Sequence, residues 1–393
     1  QNLTPQNAPN WLAFYNVIHH CNLILKYAPG ISFSQEATRN RILAQTKFIR
    51  AHIYFTLLRS WGNVPVVTEP TESAEREMPA RSKSADVMQF ILTDINEAIT
   101  LFPEDGFRDK DLASKQAAYA LKADVLLWKA KVLGGNNDDL TEAIASADKA
   151  AAGLALEDDF AKIFATDSKN GKEIIFSLHF AKDEKSDQYS RQLKPRDLFV
   201  QTAVNKNDIA FAVSGARSQY APSAKLEQAF LANVNDKRLK ASIIKAVDAG
   251  NKLLGVFDNK MRGTLYPDNR YYDNDITVYR LAEMILFKAE ALAALDRTAE
   301  AITELNKIRV RAGIANYNGA TDKKTVEKEI LNERFRELYL ELKRWPDLLR
   351  FHFGGTIDVR AEVENMTQAI PLYFPIPQAQ IDINNNLVQT EGY

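Results

Sequence analysis

A helix-turn-helix pattern occurs twice in this chain, and it restricts the fold more than any other feature. Trp128-Lys129-Ala130 precedes Thr141-Glu142-Ala143-Ile144, and Phe287-Lys288-Ala289 precedes Ala299-Glu300-Ala301-Ile302. The two stretches align with a one-residue difference in the connecting turn. Each reads as a helix, a short polar turn and a second helix. Alanines fall where the paired helices would cross, and a methyl side chain lets two backbones approach closely. In the first copy Asp139 and Glu142 have capping-box spacing, which predicts the start of the second helix there. This is the logic of tetratricopeptide hairpins, and it commits much of the polypeptide to paired α-helices.

The flanking sequence agrees. Trp11 to Tyr27 carries apolar residues at helical spacing and is closed by Pro29-Gly30. Gln35 to Trp61 is apolar on more than one side, with Ile42, Ile49, Ile53 and Leu57 on one stripe and Phe48, Phe55 and Leu58 widening it. Such a helix belongs in the middle of a bundle. Gly62 and Pro65 end it, and a third helix runs from Ser84 to Leu101. Between the repeat copies the texture changes. Glu173 to Phe180 reads as a strand, Lys182 to Ser218 is polar with little periodicity, and Pro222-Ser223 caps a short helix through Phe230. Gly250-Asn251 suits a small hairpin, and residues 266–275 form a loop rich in aromatic and amide groups. The expected fold is mainly α: tetratricopeptide-like helical hairpins forming a scaffold, with an irregular α+β lobe inserted in the middle. The expected boundaries are 1–152 for the first part of the scaffold, 153–276 for the lobe and 277–393 for the second part.

Charge and motifs exclude several functions. With 50 basic and 51 acidic residues the chain has no basic excess for nucleic acid or an anionic membrane surface. No apolar run of about 18 residues offers a transmembrane helix. The single cysteine, Cys21, forbids an intrachain disulfide and reads as a core thiol. No glycine-rich nucleotide cradle and no serine-nucleophile elbow is present. The five histidines lack the spacing that puts two zinc ligands on one helix face. The pairs Asp138-Asp139 and Asp158-Asp159 sit beside turns and read as caps. No catalytic residue, metal or cofactor is expected.

Near the C-terminus, Glu333, Glu337 and Glu341 recur every four residues along a continuous helix expected from Leu331 to Leu348. Their spacing suggests a solvated face with local ion pairs, opposite a packed face of Leu331, Phe335, Leu338, Leu342 and Trp345. Asp347 beside Trp345 should hold the turn that follows. A proline-paced tail, Tyr373-Phe374-Pro375-Ile376-Pro377, leads to a terminal Gly392-Tyr393.

This C-terminus resembles that of the SusD/RagB family of outer-membrane nutrient-uptake lipoproteins. Three more segments are similar in family order. They are Lys47 to Phe55 running into Trp61-Gly62-Asn63-Val64-Pro65, Tyr279 to Leu292 with its Arg280, Glu283 and Glu290, and Asn306 to Gly313. Asn63 and Pro346 depart from the family pattern, and the family's signal peptide and lipid-bearing cysteine are absent, so a truncated or processed N-terminus is expected. The resemblance implies a helical scaffold docked on a SusC-like TonB-dependent transporter barrel. It also implies a lobe that binds an oligosaccharide, attachment to the outer membrane through an N-terminal lipid anchor outside this chain, and exposure on the extracellular face.

A sugar presents an apolar C–H face and a rim of hydroxyls, so a non-catalytic binder needs aromatic rings beside polar groups. Residues 266–275 offer both. Tyr266, Tyr271 and Tyr272 are the expected stacking platforms, and Asn269, Arg270 and Asp273 the expected hydroxyl partners. Tyr189 and Tyr220 are further candidates in the lobe. The alternative is a helical-repeat adaptor holding a protein or peptide in its groove. A glycosidase with two acids in the lobe stands third.

Overall fold

The computed structural model describes residues 3–73, 75, 77–233 and 235–393. In chain order the helices and strands begin with α1 (Leu12–Tyr27), α2 (Glu36–Trp61), α3 (Ser84–Leu101), α4 (Lys115–Val132) and α5 (Asn137–Ala151). Then come β1 (Ile174–Leu178), α6 (Ala224–Leu231), α7 (Arg238–Ser242), β2 (Ile243–Val247), β3 (Leu253–Asp258), β4 (Thr264–Leu265), β5 (Arg270–Tyr271) and β6 (Ile276–Arg280). The chain continues through α8 (Leu281–Ala294), α9 (Thr298–Ala312), α10 (Lys323–Glu337) and α11 (Arg344–Phe353). The mainly helical class with a small strand-bearing insertion is as the periodicity indicates, and both repeat copies are helix pairs. The chain divides into two compact units, one of residues 1–108, 113–150 and 348–393, the other of 109–112 and 151–347. The α8–α9 hairpin thus shares a unit with the lobe.

In the first unit α2 packs against α1, α3 and α4, which is why it is apolar on several sides. Phe48, Tyr54, Phe55, Leu57, Leu58 and Trp61 are all buried. A buried fork crosses this core. Arg50 donates to Asp94 through Nε (2.7 Å) and Nη2 (2.8 Å), and through Nη1 to Asn22 Oδ1 (2.8 Å). Gly62 ends α2 at φ +71, a left-handed backbone that favours glycine. The C-terminal tail returns to this point. Phe374 N–H donates to Ser60 O (2.8 Å), and Trp61 Nε1 donates to Pro375 O (3.2 Å). The capping box of α5 lies three residues earlier than the sequence suggests. Asn136 Oδ1 accepts from the amide of Asp139 (3.2 Å) while Asp139 Oδ2 accepts from the amide of Asn136 (3.0 Å), so Asn136 is the cap.

In the second unit β1 pairs antiparallel with β6, β2 with β3, and β4 with β5. Strand β6 runs directly into α8, and α10 packs on both α8 and α9. The helix expected from Leu331 to Leu348 is two helices. Helix α10 stops at Glu337, and Leu340 and Leu342 take positive φ values of 62 and 60 before α11 begins. Bulky residues rarely adopt that backbone, so the turn needs outside support. Asp347, expected in a turn after this helix, lies instead inside α11 and ties that helix back to α10 across the break, accepting from Arg334 Nη2 at 2.8 Å.

Candidate functional site

The lobe is held by buried charge. Glu333, Glu337 and Glu341 were expected on a solvated face, but they are 0%, 0% and 4% exposed. Arg280, the last residue of β6, donates to Glu173 Oε1 (2.6 Å) and Glu337 Oε1 (2.6 Å), and forks onto Glu341 with two bonds of 2.8 Å. Arg238 donates to Glu333 (2.6 Å), Glu337 (2.8 Å) and Asp236 (2.7 Å). Lys260 Nζ reaches Glu341 Oε1 and the Tyr339 carbonyl, both at 2.6 Å. Arg311 also pairs with Glu337 and, at 3.3 Å, with Glu173. The phenyl face of Phe164 lies 4.3 Å from Lys260 Nζ. The correction has a clear cause: apart from Arg336, the cations that face these glutamates include Arg238, Lys260, Arg280 and Arg311, all outside α10. Burial drives the Glu337 carboxyl up, but the guanidiniums of Arg311, Arg280 and Arg238 outweigh it and hold it well below the usual carboxylate range. Burial likewise pulls the Lys260 ammonium down to about 8, against the opposing pull of Glu341. This network secures the strained turn after α10, since Lys260 and Arg280 grip its carbonyls and carboxylates directly.

On this base stands the β4–β5 hairpin. Its entry is a close approach of backbones: Gly263, at φ +64, lies against the Tyr271 carbonyl where a Cβ would meet the Tyr272 Cα at 3.0 Å. Asn274 Oδ1 accepts from Gly263 N–H (2.8 Å), and Asp273 Oδ1 from Thr264 N–H (3.1 Å). At the tip, Tyr266 N–H donates to Asn269 O (2.8 Å), closing a tight turn over Pro267 and Asp268. Asn269 is anchored to the neighbouring loop through Ser214 O (3.1 Å) and Val213 N–H (3.1 Å).

The sequence-derived residues separate into two groups. Tyr266 and Tyr271 are partly exposed, with ring centroids 5.7 Å apart and planes at 72°. Tyr266 OH donates to Asp273 Oδ2 (3.0 Å), and Tyr271 OH to Asp268 Oδ2 (2.6 Å). These hydrogen bonds raise both phenols above their ordinary pKa. Tyr272 is different. It is 1% exposed, packed with Ala212 and Ala216, and its hydroxyl has no partner among the described residues. It presents no face for stacking, because neighbouring residues of a strand point to opposite sides. Asp273 is buried and acts through Tyr266, and Arg270 turns inward to the carbonyls of Arg262 (3.1 Å) and Gly263 (3.3 Å). Tyr189 bonds the Leu340 carbonyl and packs on the Phe160–Phe164 cluster, whereas Tyr220 is 66% exposed. Lys182, not singled out in the sequence, lies 4.5 Å from the Tyr266 ring centroid and 5.4 Å from that of Tyr271, and pairs with Asp268 at 3.2 Å. No local signal could have found it, since 86 residues separate Lys182 from Asp268.

The first unit has a cavity of about 360 Å³ lined by Trp11, Tyr15, Met78, Ile383 and Leu387. Its walls are mostly alkyl. Two of its polar groups are engaged elsewhere, His19 with the Thr71 amide (3.2 Å) and Asn384 with the Pro79 carbonyl (2.9 Å). It suits an apolar group better than a rim of hydroxyls.

Residues 245–393 match the model of the SusD family, and residues 1–127 match a family described as "Starch-binding associating with outer membrane". SusD-like protein P25 of Formosa agariphila is 26% identical over 424 residues, covering 97% of this chain and 78% of that protein. Starch-binding protein SusD of Bacteroides thetaiotaomicron is 37% identical over 130 residues, which is 31% of this chain and 22% of that protein. Among solved structures, Bacteroides fragilis NanU superposes with a TM-score of 0.85 at 29% identity, over 99% of this chain and 85% of that one. A SusD superfamily protein from Bacteroides vulgatus superposes with a TM-score of 0.86 at 26% identity, over 100% and 88%.

Proposed function

This chain belongs to the SusD family, and from that premise we propose that it binds an oligosaccharide at the outer face of the outer membrane and passes it, without catalysis, to a SusC-like TonB-dependent barrel. The relative that is 37% identical over 130 residues is a starch-binding protein by name, and the family matched by residues 1–127 is described as starch-binding. Both support a carbohydrate ligand, and the family description also supports the membrane location. The observation that carries the reading is the Tyr266–Tyr271 pair, two partly exposed rings set at 72° with carboxylates hydrogen-bonded to their hydroxyls. Such a surface can take the C–H face of a pyranose on a ring while polar groups meet its rim. Asp268, Lys182 and Asn269 are the proposed rim groups, with Asp273 fixing the Tyr266 hydroxyl. A shallow, wet platform of this kind gives modest affinity.

Calorimetric titration of the protein with a panel of oligosaccharides tests the reading. One or more glycans should bind, and the Tyr266→Ala/Tyr271→Ala double variant should weaken that binding roughly tenfold or more, the scale of an aromatic hot spot. Full binding by the double variant removes the assignment. Release of shorter sugars from any bound glycan would remove the non-catalytic part, and failure to co-purify with a barrel encoded beside this chain would remove the delivery step.

A further inference from the structure

We propose that the Tyr266–Tyr271 platform accepts uncharged oligosaccharides and excludes chains bearing carboxylates or sulfates, a substrate class that rests on the reading of this hairpin as the glycan site. The observation is the set of charges around the two phenols. Tyr266 OH faces Asp273 at 3.0 Å, and Tyr271 OH faces Asp268 at 2.6 Å. Asp187 stands on the adjoining backbone, accepting from the Tyr272 amide at 2.9 Å. Asp183 is exposed on the same loop and has no ion-pair partner among the described residues. The negative field of Asp183 is felt at both phenols.

Three of the neighbouring cations are engaged, while Lys185 is exposed on the same loop beside the exposed carboxylates of Asp183 and Glu184. Lys182 is paired with Asp268 at 3.2 Å, Arg191 with Asp187 at 3.5 Å, and Arg270 faces backbone carbonyls. An arriving uronate or sulfate would therefore place its charge among the carboxylates of Asp183, Asp187, Asp268 and Asp273, with Lys182, Arg191 and Arg270 already engaged. Juxtaposed like charge is how a binding surface rejects a competitor. An uncharged sugar meets the opposite situation. Carboxylate oxygens accept from its hydroxyls, and its C–H face can take the place of the Lys182 ammonium on the rings. That exchange is easy because a cation–π contact and an ion pair at an exposed position are both weak.

The test is affinity electrophoresis of the whole protein in gels containing matched polymers. Suitable pairs are hydroxyethyl cellulose with carboxymethyl cellulose, a β-glucan with its sulfate ester, and methyl-esterified pectin with polygalacturonate. The expected result is retardation by an uncharged polymer, at least tenfold weaker retardation by its charged partner, and loss of both in the Tyr266→Ala/Tyr271→Ala variant. Replacing Asp183→Asn and Asp268→Asn together should narrow the gap, most of all at low salt where charge acts furthest. Equal or stronger tyrosine-dependent retardation by a charged member, released by Lys182→Ala, overturns the exclusion while leaving the hairpin as the site. Absence of any tyrosine-dependent retardation overturns the site itself, and the exclusion with it.

Discussion

Arg280 and Glu341 form a two-pronged pair, Nε to Oε2 and Nη2 to Oε1, each at 2.8 Å, with the arginine wholly shut off from solvent. The same guanidinium reaches Glu173 and Glu337, so one side chain neutralises carboxylates from before β1, from the end of α10 and from the turn beyond it. A planar fork with several donors can do this, and a lysine cannot.

Arg280→Met should therefore be among the most damaging single changes in the chain. It strands carboxylates in an interior that water does not reach, at a cost of about 3–5 kcal/mol. Urea denaturation followed by circular dichroism measures the loss. Arg297→Met, which removes a pair lying in solvent, should leave the urea midpoint nearly unchanged.

Acid should destabilise the native protein in a way that depends on the same glutamates. Burial pushes Glu333, Glu337 and Glu341 up, and their cationic neighbours more than compensate, so all three sit below their ordinary value of 4.5. The unfolded chain then holds more protons than the native one in acid. Their contribution is complete above pH 4.5 and is lost as pH falls through the native values. Denaturation free energies measured from pH 7 down to pH 3 should show this fall, with a shallower slope in Glu337→Gln.

Lys260 gives a slope of the same sign in alkali. Burial lowers its native pKa from 10.5 to about 8. Between those values the unfolded lysine binds a proton that the native one has released, so this group adds stability as pH rises across that window. The effect should appear as the difference between the parent protein and Lys260→Met, measured from pH 7.5 to pH 10.5, so that titrating tyrosines cancel. A difference that stays flat with pH contradicts it.

Tyr272 and Tyr266 should part company when each is replaced by alanine. Tyr272→Ala empties a packed site and should cost about 3–5 kcal/mol. Tyr266→Ala removes a partly exposed ring and should leave the melting temperature within a few degrees of the parent while weakening glycan binding. Thermal melts beside calorimetric titrations separate the two outcomes.

Gly263→Ala should disturb the hairpin without touching either platform ring. The new methyl would meet the Tyr271 carbonyl and the Tyr272 Cα in a backbone conformation that disfavours a side chain. A stability loss of more than about 1 kcal/mol, with reduced glycan affinity, is expected.

The helical framework was legible because its signals are local. Capping and breaking residues placed α1, α2 and α3 within a residue of their observed ends, and the two repeat copies disclosed the α4–α5 and α8–α9 pairs. What failed was long-range. Glutamates four apart look the same whether water or distant arginines face them, so the interior role of Glu333, Glu337 and Glu341 was invisible without residues 238, 280 and 311. The break after Glu337 was hidden for a similar reason, since Leu340 and Leu342 carry no turn chemistry and hold their backbone through contacts made elsewhere. Tyr272 could have been read better. Adjacent residues on an extended strand face opposite sides, so Tyr271 and Tyr272 could not share one stacking surface.

The bond from Trp61 to the Pro375 carbonyl spans 314 residues. A polypeptide made from its N-terminus leaves the end of α2 without this contact until Pro375 has been added. Closing so long a loop carries a large entropic toll and slows the search for the native state. Completion of the first unit thus waits on residues 348–393, and until they arrive an indole and its apolar neighbours are open to whatever chaperone accompanies the nascent chain.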